Sequence, residues 1–140
     1  MAPNLTAVSS PAELVREFCC TISSRDFDKI AVQLAADANW TVVGRPDRFA
    51  FGGTQSKAKF LEGIRATWPT FDQFQFDVLS LAQNGDVVFV EARAEGRGPG
   101  AARYSNHYLM RFIIRDGLVV DVLEHYDPFE ALAYVEQLSE

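Results

Sequence analysis

A chain of 140 residues has room for one hydrophobic core and not two, so a single domain over residues 1–140 is expected, and 48% hydrophobic against 23% charged residues is a globular balance. A formal net charge of -6 opposes the basic footprint that phosphate backbones need, which excludes nucleic acid as the expected partner. Adjacent Cys19 and Cys20 suit neither a disulfide framework nor a metal site, and no stretch reaches the roughly 18 apolar residues of a membrane span.

Met1 to Ser10 carry no basic n-region and no long apolar run, so no secretory signal is expected and cytoplasmic residence follows by default. Ser10-Pro11-Ala12-Glu13 reads as a helix start, with Ser10 as N-cap, Pro11 in the first turn and Glu13 closing a capping box. Leu14, Phe18 and Ile22 recur every four residues and carry that helix to about Ser23. Asp26 caps a second helix whose Phe27, Ile30, Ala31 and Leu34 share a face.

Asn39 to Val43 is β-rich and reads as a strand; Gly44 to Phe51 is irregular, and Gly52-Gly53 punctuates. Helical spacing returns at Phe60, Leu61, Ile64 and Trp68, and Pro69 stops it. From there to Tyr126 the period is two. Asn84-Gly85 and Asp116-Gly117 are hairpin signals, the first between Phe74–Leu81 and Val87–Ala94, the second between Tyr104–Ile114 and Leu118–Tyr126. Asp127, with Glu130 three residues on, caps a last helix. Helices followed by a meander predict an α+β domain in which helices cover one face of a sheet.

Alternation assigns faces. Tyr104, Asn106, Tyr108, Met110, Phe112 and Ile114 form the more apolar face of their strand and should face the helices. The same rule turns Val120, Val122, Glu124 and Tyr126 inward and Val119, Asp121, Leu123 and His125 outward. An inward carboxylate near Tyr108, Asn106 and Tyr126 is the main oddity of the sequence. Burial raises its pKa and a hydrogen bond opposes the rise, so Glu124 is poised for acid/base work near neutral pH. The alternative is a structural Glu satisfied by Arg93 or a tyrosine hydroxyl.

The phase of Val87–Ala94 stays open. With Phe89 inward, Arg93 pairs with Glu91 or Glu124; with Phe89 outward, both charges face solvent. His107 and His125 fall on the face opposite Glu124, and Asp127 is explained by its capping role. No nucleophile elbow, P-loop, dinucleotide fingerprint or metal-ligand cluster is present, so nucleophilic, phosphoryl-transfer and metal mechanisms lack support.

The element order, with Tyr104-Ser105-Asn106-His107-Tyr108-Leu109, Asp116-Gly117-Leu118-Val119 and Glu124-His125-Tyr126-Asp127-Pro128-Phe129, resembles the nuclear transport factor 2-like superfamily, especially SnoaL-like proteins. Within it, Val90-Glu91, the Gly96–Gly100 loop and the segment from Glu124 to Leu132 are most similar to the small phenazine-biosynthesis A/B proteins. The resemblance implies a cone-shaped, curved antiparallel sheet of cystatin-like type with N-terminal helices on its concave face. It also implies ligand entry at the open end, no cofactor, and a homodimer through the outer sheet face. The matching position of Glu124 holds an acid catalyst in the phenazine relatives and a catalytic Asp in limonene-epoxide hydrolases.

Other machinery of the superfamily is missing. Ketosteroid isomerase's oxyanion Tyr, strand Asp and second donor align with Phe18, Val42 and Tyr108. The water-holding residues of the epoxide hydrolases align with Trp40 and Val42, and their Arg-x-Asp finds only Arg93-Ala94-Glu95. The expected function is therefore isomerisation, cyclisation or dehydration of a ring-bearing apolar molecule in secondary metabolism. Glu124 is the acid/base, Tyr108 and Asn106 orient an oxygen, and Phe18, Trp40, Phe60, Trp68 and Phe112 wall the cavity. Arg93 and Tyr126 complete the ligand contacts. A non-catalytic binding protein with the same cavity is the rival reading.

Overall fold

The structure is a computed structural model that describes residues 9–139. The reading of Met1 to Ser10 as lacking a secretory signal lies, apart from Ser9 and Ser10, outside the described residues. Helix α1 spans Pro11–Ser24, α2 Phe27–Gln33, α3 Lys57–Thr67 and α4 Pro128–Leu138. Strands β1 to β6 are Leu34–Val42, Gly53–Ser56, Gln73–Asn84, Val87–Arg97, Arg103–Arg115 and Leu118–His125. A 3-10 turn at Trp68–Thr70 follows α3.

Local signals set the element ends. Ser10 accepts from the Glu13 N–H and Glu13 reaches back to the cap, completing the capping box of α1. Arg25 ends that helix in the left-handed region at φ 56°. Its guanidinium donates to the carbonyls of Phe71 at 2.5 Å and Trp68 at 3.2 Å, which ties the α1–α2 corner to the turn after α3. Asp26 and Ser56 cap α2 and α3 in the same manner. In the β5–β6 hairpin both Asp116 and Gly117 have positive φ, 52° and 75°, as a type I′ turn requires.

The strands form one curved, unclosed sheet in the order β2-β1-β6-β5-β4-β3. Adjacent strands are antiparallel except β1 and β6, which run parallel and seat Val42 beside Glu124 and Trp40 beside Val122. Helix α1 packs on β3 and β4, α3 on β1, and α4 on β5. Between helices and sheet lies the core, in which Phe18, Ile30, Val88, Phe112 and Val122 are wholly buried. Phe18 meets the Phe112 ring edge-on at 5.9 Å.

Three expectations need correction. Strand β1 begins at Leu34 and not at Asn39, because burial of Leu34, Ala35 and Ala38 against the sheet outweighs their weak β-propensity; its register with β6 shifts between Leu34 and Asn39. Gly53–Ser56 is a strand where only punctuation was read, and four residues are too few to show a period. The parity at the start of β6 is reversed: Val119 is 3% exposed and faces the core. A bulge lets Ile113 pair with Asp121 while Ile114 pairs with Val119, so Val120 is the extra residue. Beyond the bulge the expected parity is restored, and Val122 and Glu124 share the inner face.

Strand β4 settles its open phase with Val88, Val90, Ala92 and Ala94 inward and Phe89 half exposed on the outer face. The Gly96 backbone lies under the Phe71 ring, where a Cβ would stand 2.6 Å from two ring carbons. Small residues on this stretch of β4 thus leave room for aromatic side chains above them.

Candidate active site

Between the sheet and α3, the 3-10 turn and α4 lies a cavity of about 430 Å³. Its walls are mainly aromatic. Trp40 stacks on Phe60 with ring centroids 3.9 Å apart and planes 9° from parallel; Phe60 in turn meets Trp68 edge-on at 6.4 Å. On the far side Phe71 stacks on Tyr134 at 4.5 Å. Such walls suit a flat, ring-bearing molecule. A second hollow of about 420 Å³, bounded by Gln73, Glu95, Arg97 and Arg103 among others, contains none of the acid/base candidates.

Glu124 opens into the aromatic cavity from β6. Part of the residue is exposed to the cavity, yet the carboxyl is removed from bulk water, and this burial pushes its pKa up to about 7. The indole N–H of Trp40 opposes the rise by donating to Oε1 at 3.4 Å, a long bond. Near neutral pH both protonation states of this carboxyl are therefore populated.

Three phenols surround it. Tyr126 and Tyr108 have ring centroids 5.2 Å apart, and the Tyr108 hydroxyl is hydrogen-bonded to that of Tyr104. Burial raises the pKa of all three, Tyr104 to about 12, and the Glu124 charge adds to each rise. They remain neutral hydrogen-bond donors at physiological pH.

The residues singled out from the sequence separate into groups. Glu124, Tyr108, Trp40, Phe60, Trp68 and Tyr126 line the cavity together. Phe18 and Phe112 have no solvent exposure and lie in the core, not on the cavity wall. Asn106 is buried behind Tyr104 and does not reach the cavity surface. Arg93 is on the outer face, where it donates to Glu95 at 2.9 Å and to Ser105 at 2.8 Å; the outward phase of β4 denies it any contact with Glu124. His107 is also outside, 2.7 Å from Glu91.

Sequence reasoning missed Tyr104 as a cavity residue, along with Phe71, Phe74 and Tyr134. The spacing of Ala131, Tyr134 and Leu138 on α4 was a usable signal, since it gives that helix an inward face over the cavity. Among the described residues, no group of three or more His, Cys, Asp or Glu is arranged to hold a metal ion. No helix among them is long and apolar enough to cross a membrane.

The SnoaL-like domain profile matches residues 15–122, and the chain belongs to that family, within the nuclear transport factor 2-like superfamily. Among curated proteins, no sequence match was found. Similar solved structures include PrhC from Penicillium brasilianum NBRC 6234, with a TM-score of 0.81 at 16% identity, covering 93% of this chain and 91% of that one. IdmH from Streptomyces antibioticus, provisionally assigned as a polyketide cyclase, has a TM-score of 0.74 at 20% identity, with coverage of 91% and 99%. An LEH-like epoxide hydrolase from M. tuberculosis has a TM-score of 0.71 at 15% identity, with coverage of 92% of each chain. At these identities the likeness establishes the fold.

Proposed function

We propose that this protein is an enzyme that isomerises, cyclises or dehydrates an apolar, ring-bearing small molecule of secondary metabolism by acid/base catalysis at Glu124. The observation that carries this reading is the placement of one carboxyl, with its pKa near 7, inside an aromatic cavity. A group populated in both forms can take a proton from one atom of a bound molecule and return it to another. Tyr108 supplies a neutral donor to a substrate oxygen, while Trp40, Phe60 and Trp68 hold the ring. The similarity to IdmH supports a cyclase-type reaction.

The reading extends to a homodimer through the outer sheet face, supported by the exposure of Leu79, Phe89 and Leu109 there.

Solvent exchange tests the catalytic core without a known substrate. A panel of ring-bearing carbonyl compounds is incubated in deuterated buffer and followed by mass spectrometry. Wild-type protein is expected to accelerate deuterium uptake into at least one, and Glu124→Gln to abolish that acceleration while binding persists. Equal exchange by both proteins removes Glu124 from the chemistry. Binding with no exchange by wild type identifies a ligand-binding protein instead.

A further inference from the structure

A carboxylate removed from water is costly unless an opposite charge compensates it. Glu124 is the only carboxylate among the described residues that line the aromatic cavity, and no Lys, Arg or His is among them. Arg93, a candidate counter-ion from the sequence, is on the outer face with Glu95. Arg25 touches the wall residues Trp68 and Phe71, but its guanidinium is held by their carbonyls. The polar groups that do line the cavity are neutral. They are the Trp40 indole of β1, the Tyr104 and Tyr108 phenols of β5, Tyr126 after β6, Tyr134 of α4 and Gln55 of β2. Helix α3 and the 3-10 turn bring no ionisable group to it. Hydrogen bonds from such groups satisfy lone pairs and leave the charge in place.

The walls suit the missing partner. Indole, phenol and phenyl rings have electron-rich faces that attract a cation and return part of the hydration it loses, which aliphatic walls cannot do. Trp, the best of these rings for the purpose, stands in the wall twice, as Trp40 and Trp68. A carboxylate among aromatic rings, with no resident cation, is complementary to an alkylammonium group. The net charge of -6 acts in the same sense at longer range, since it draws cations toward the molecule and repels anions.

We infer that the cavity recognises a ring-bearing amine in its protonated or quaternary form, with Glu124 as counter-ion to the nitrogen and the aromatic walls around its alkyl groups. On the Glu124 reading, on which this rests, the ring-bearing substrate gains a cationic nitrogen. The starting state of the carboxyl follows as well, because a bound cation holds Glu124 ionised, as a base. Acidic ring compounds are repelled by that charge, and neutral ones leave it uncompensated, so both are discriminated against.

The test compares phenyltrimethylammonium with its uncharged isostere tert-butylbenzene. The two share a shape, and the cation keeps its charge at every pH, so pH acts on the protein alone. Binding is read by titration of tryptophan fluorescence. At pH 8.5, where Glu124 is ionised, wild type is expected to bind the cation roughly 10-fold more tightly than the isostere. At pH 5.5, where Glu124 is protonated, the preference should fall to about 3-fold or less. Glu124→Gln should show the small preference at both pH values. By reciprocity the cation should lower the pKa of Glu124, by about 1 for each tenfold gain in affinity on ionisation, as read from the carboxyl carbon-13 signal. Binding of neither probe, equal affinity for the two at pH 8.5, or a preference that does not grow from pH 5.5 to pH 8.5 overturns the inference. So does a full preference retained in Glu124→Gln. Should that variant fail to fold, the wild-type pH comparison and the carbon-13 titration decide without it. A preference for the cation in a protein that exchanges no protons leaves the ligand class standing and removes the catalytic reading. Exchange into neutral ketones with no preference for the cation keeps the catalytic reading and overturns the ligand class.

Discussion

The indole Nε1 of Trp40 donates to Oε1 of Glu124 across the boundary where β1 and β6 run parallel. That bond favours the ionised carboxyl and, among the described residues, is the interaction that holds its pKa down against burial. Trp40 is thus both a wall of the cavity and a regulator of the carboxyl it shelters.

Trp40→Phe keeps an aromatic ring on Phe60 and removes the donor. Glu124 should then titrate above 7, by less than about one unit because the bond is long. Carbon-13 NMR of the labelled side-chain carboxyl reads the shift directly. A downward movement, or none, contradicts the role given to the indole.

Stability should respond to the same carboxyl. Its folded pKa of about 7 lies above the ordinary 4.5. Between those values the unfolded chain has lost the proton and the folded chain retains it, so stability falls as pH rises through this window. Above about pH 7 the cumulative cost is at most about 3 kcal/mol. Glu124→Gln is expected to show no such loss, so urea denaturation at pH 4.5 and pH 8 should find the variant gaining on wild type at the higher pH. Parallel pH dependence of the two proteins excludes the raised pKa.

Much of this site was legible in the residues themselves. Alternation along Tyr104 to Ile114 identifies an inner face, and the two-residue step from Val122 to Glu124 carries the carboxyl inward. The Val120 bulge was not legible, since no Gly or Pro marks it and its cause is the pairing with β5. The phase of β4 was hidden for a different reason. Ala92 and Ala94 are too small to declare a core face, while Phe89 on the other face invites the opposite choice. That choice alone decided whether Arg93 belonged to the cavity.

Phe112 fills the core beneath the cavity, in contact with Phe18. Phe112→Ala should cost about 3–5 kcal/mol of stability by loss of buried ring and creation of a void. Chemical denaturation measures this, and a cost under about 1 kcal/mol would show that the ring is not a core element.

Gly96→Ala drives a methyl group into the Phe71 ring, which is itself stacked on Tyr134. The expected cost is about 1–3 kcal/mol, as for other overpacked sites. Because Phe71 lines the cavity, affinity for bound aromatic probes should fall as well. Unchanged melting and unchanged probe affinity would show that the ring has space to move.

The two partners that create the carboxyl's environment are 84 positions apart in the chain. The strands that hold them meet only after the central meander, β3 to β5, has been laid down between them. Sequence-distant pairings of this kind carry a high loop-closure cost and form late. The Trp40–Glu124 pairing should therefore be the last feature the chain acquires as it folds, trailing helix content and collapse, and the first it surrenders on gentle unfolding.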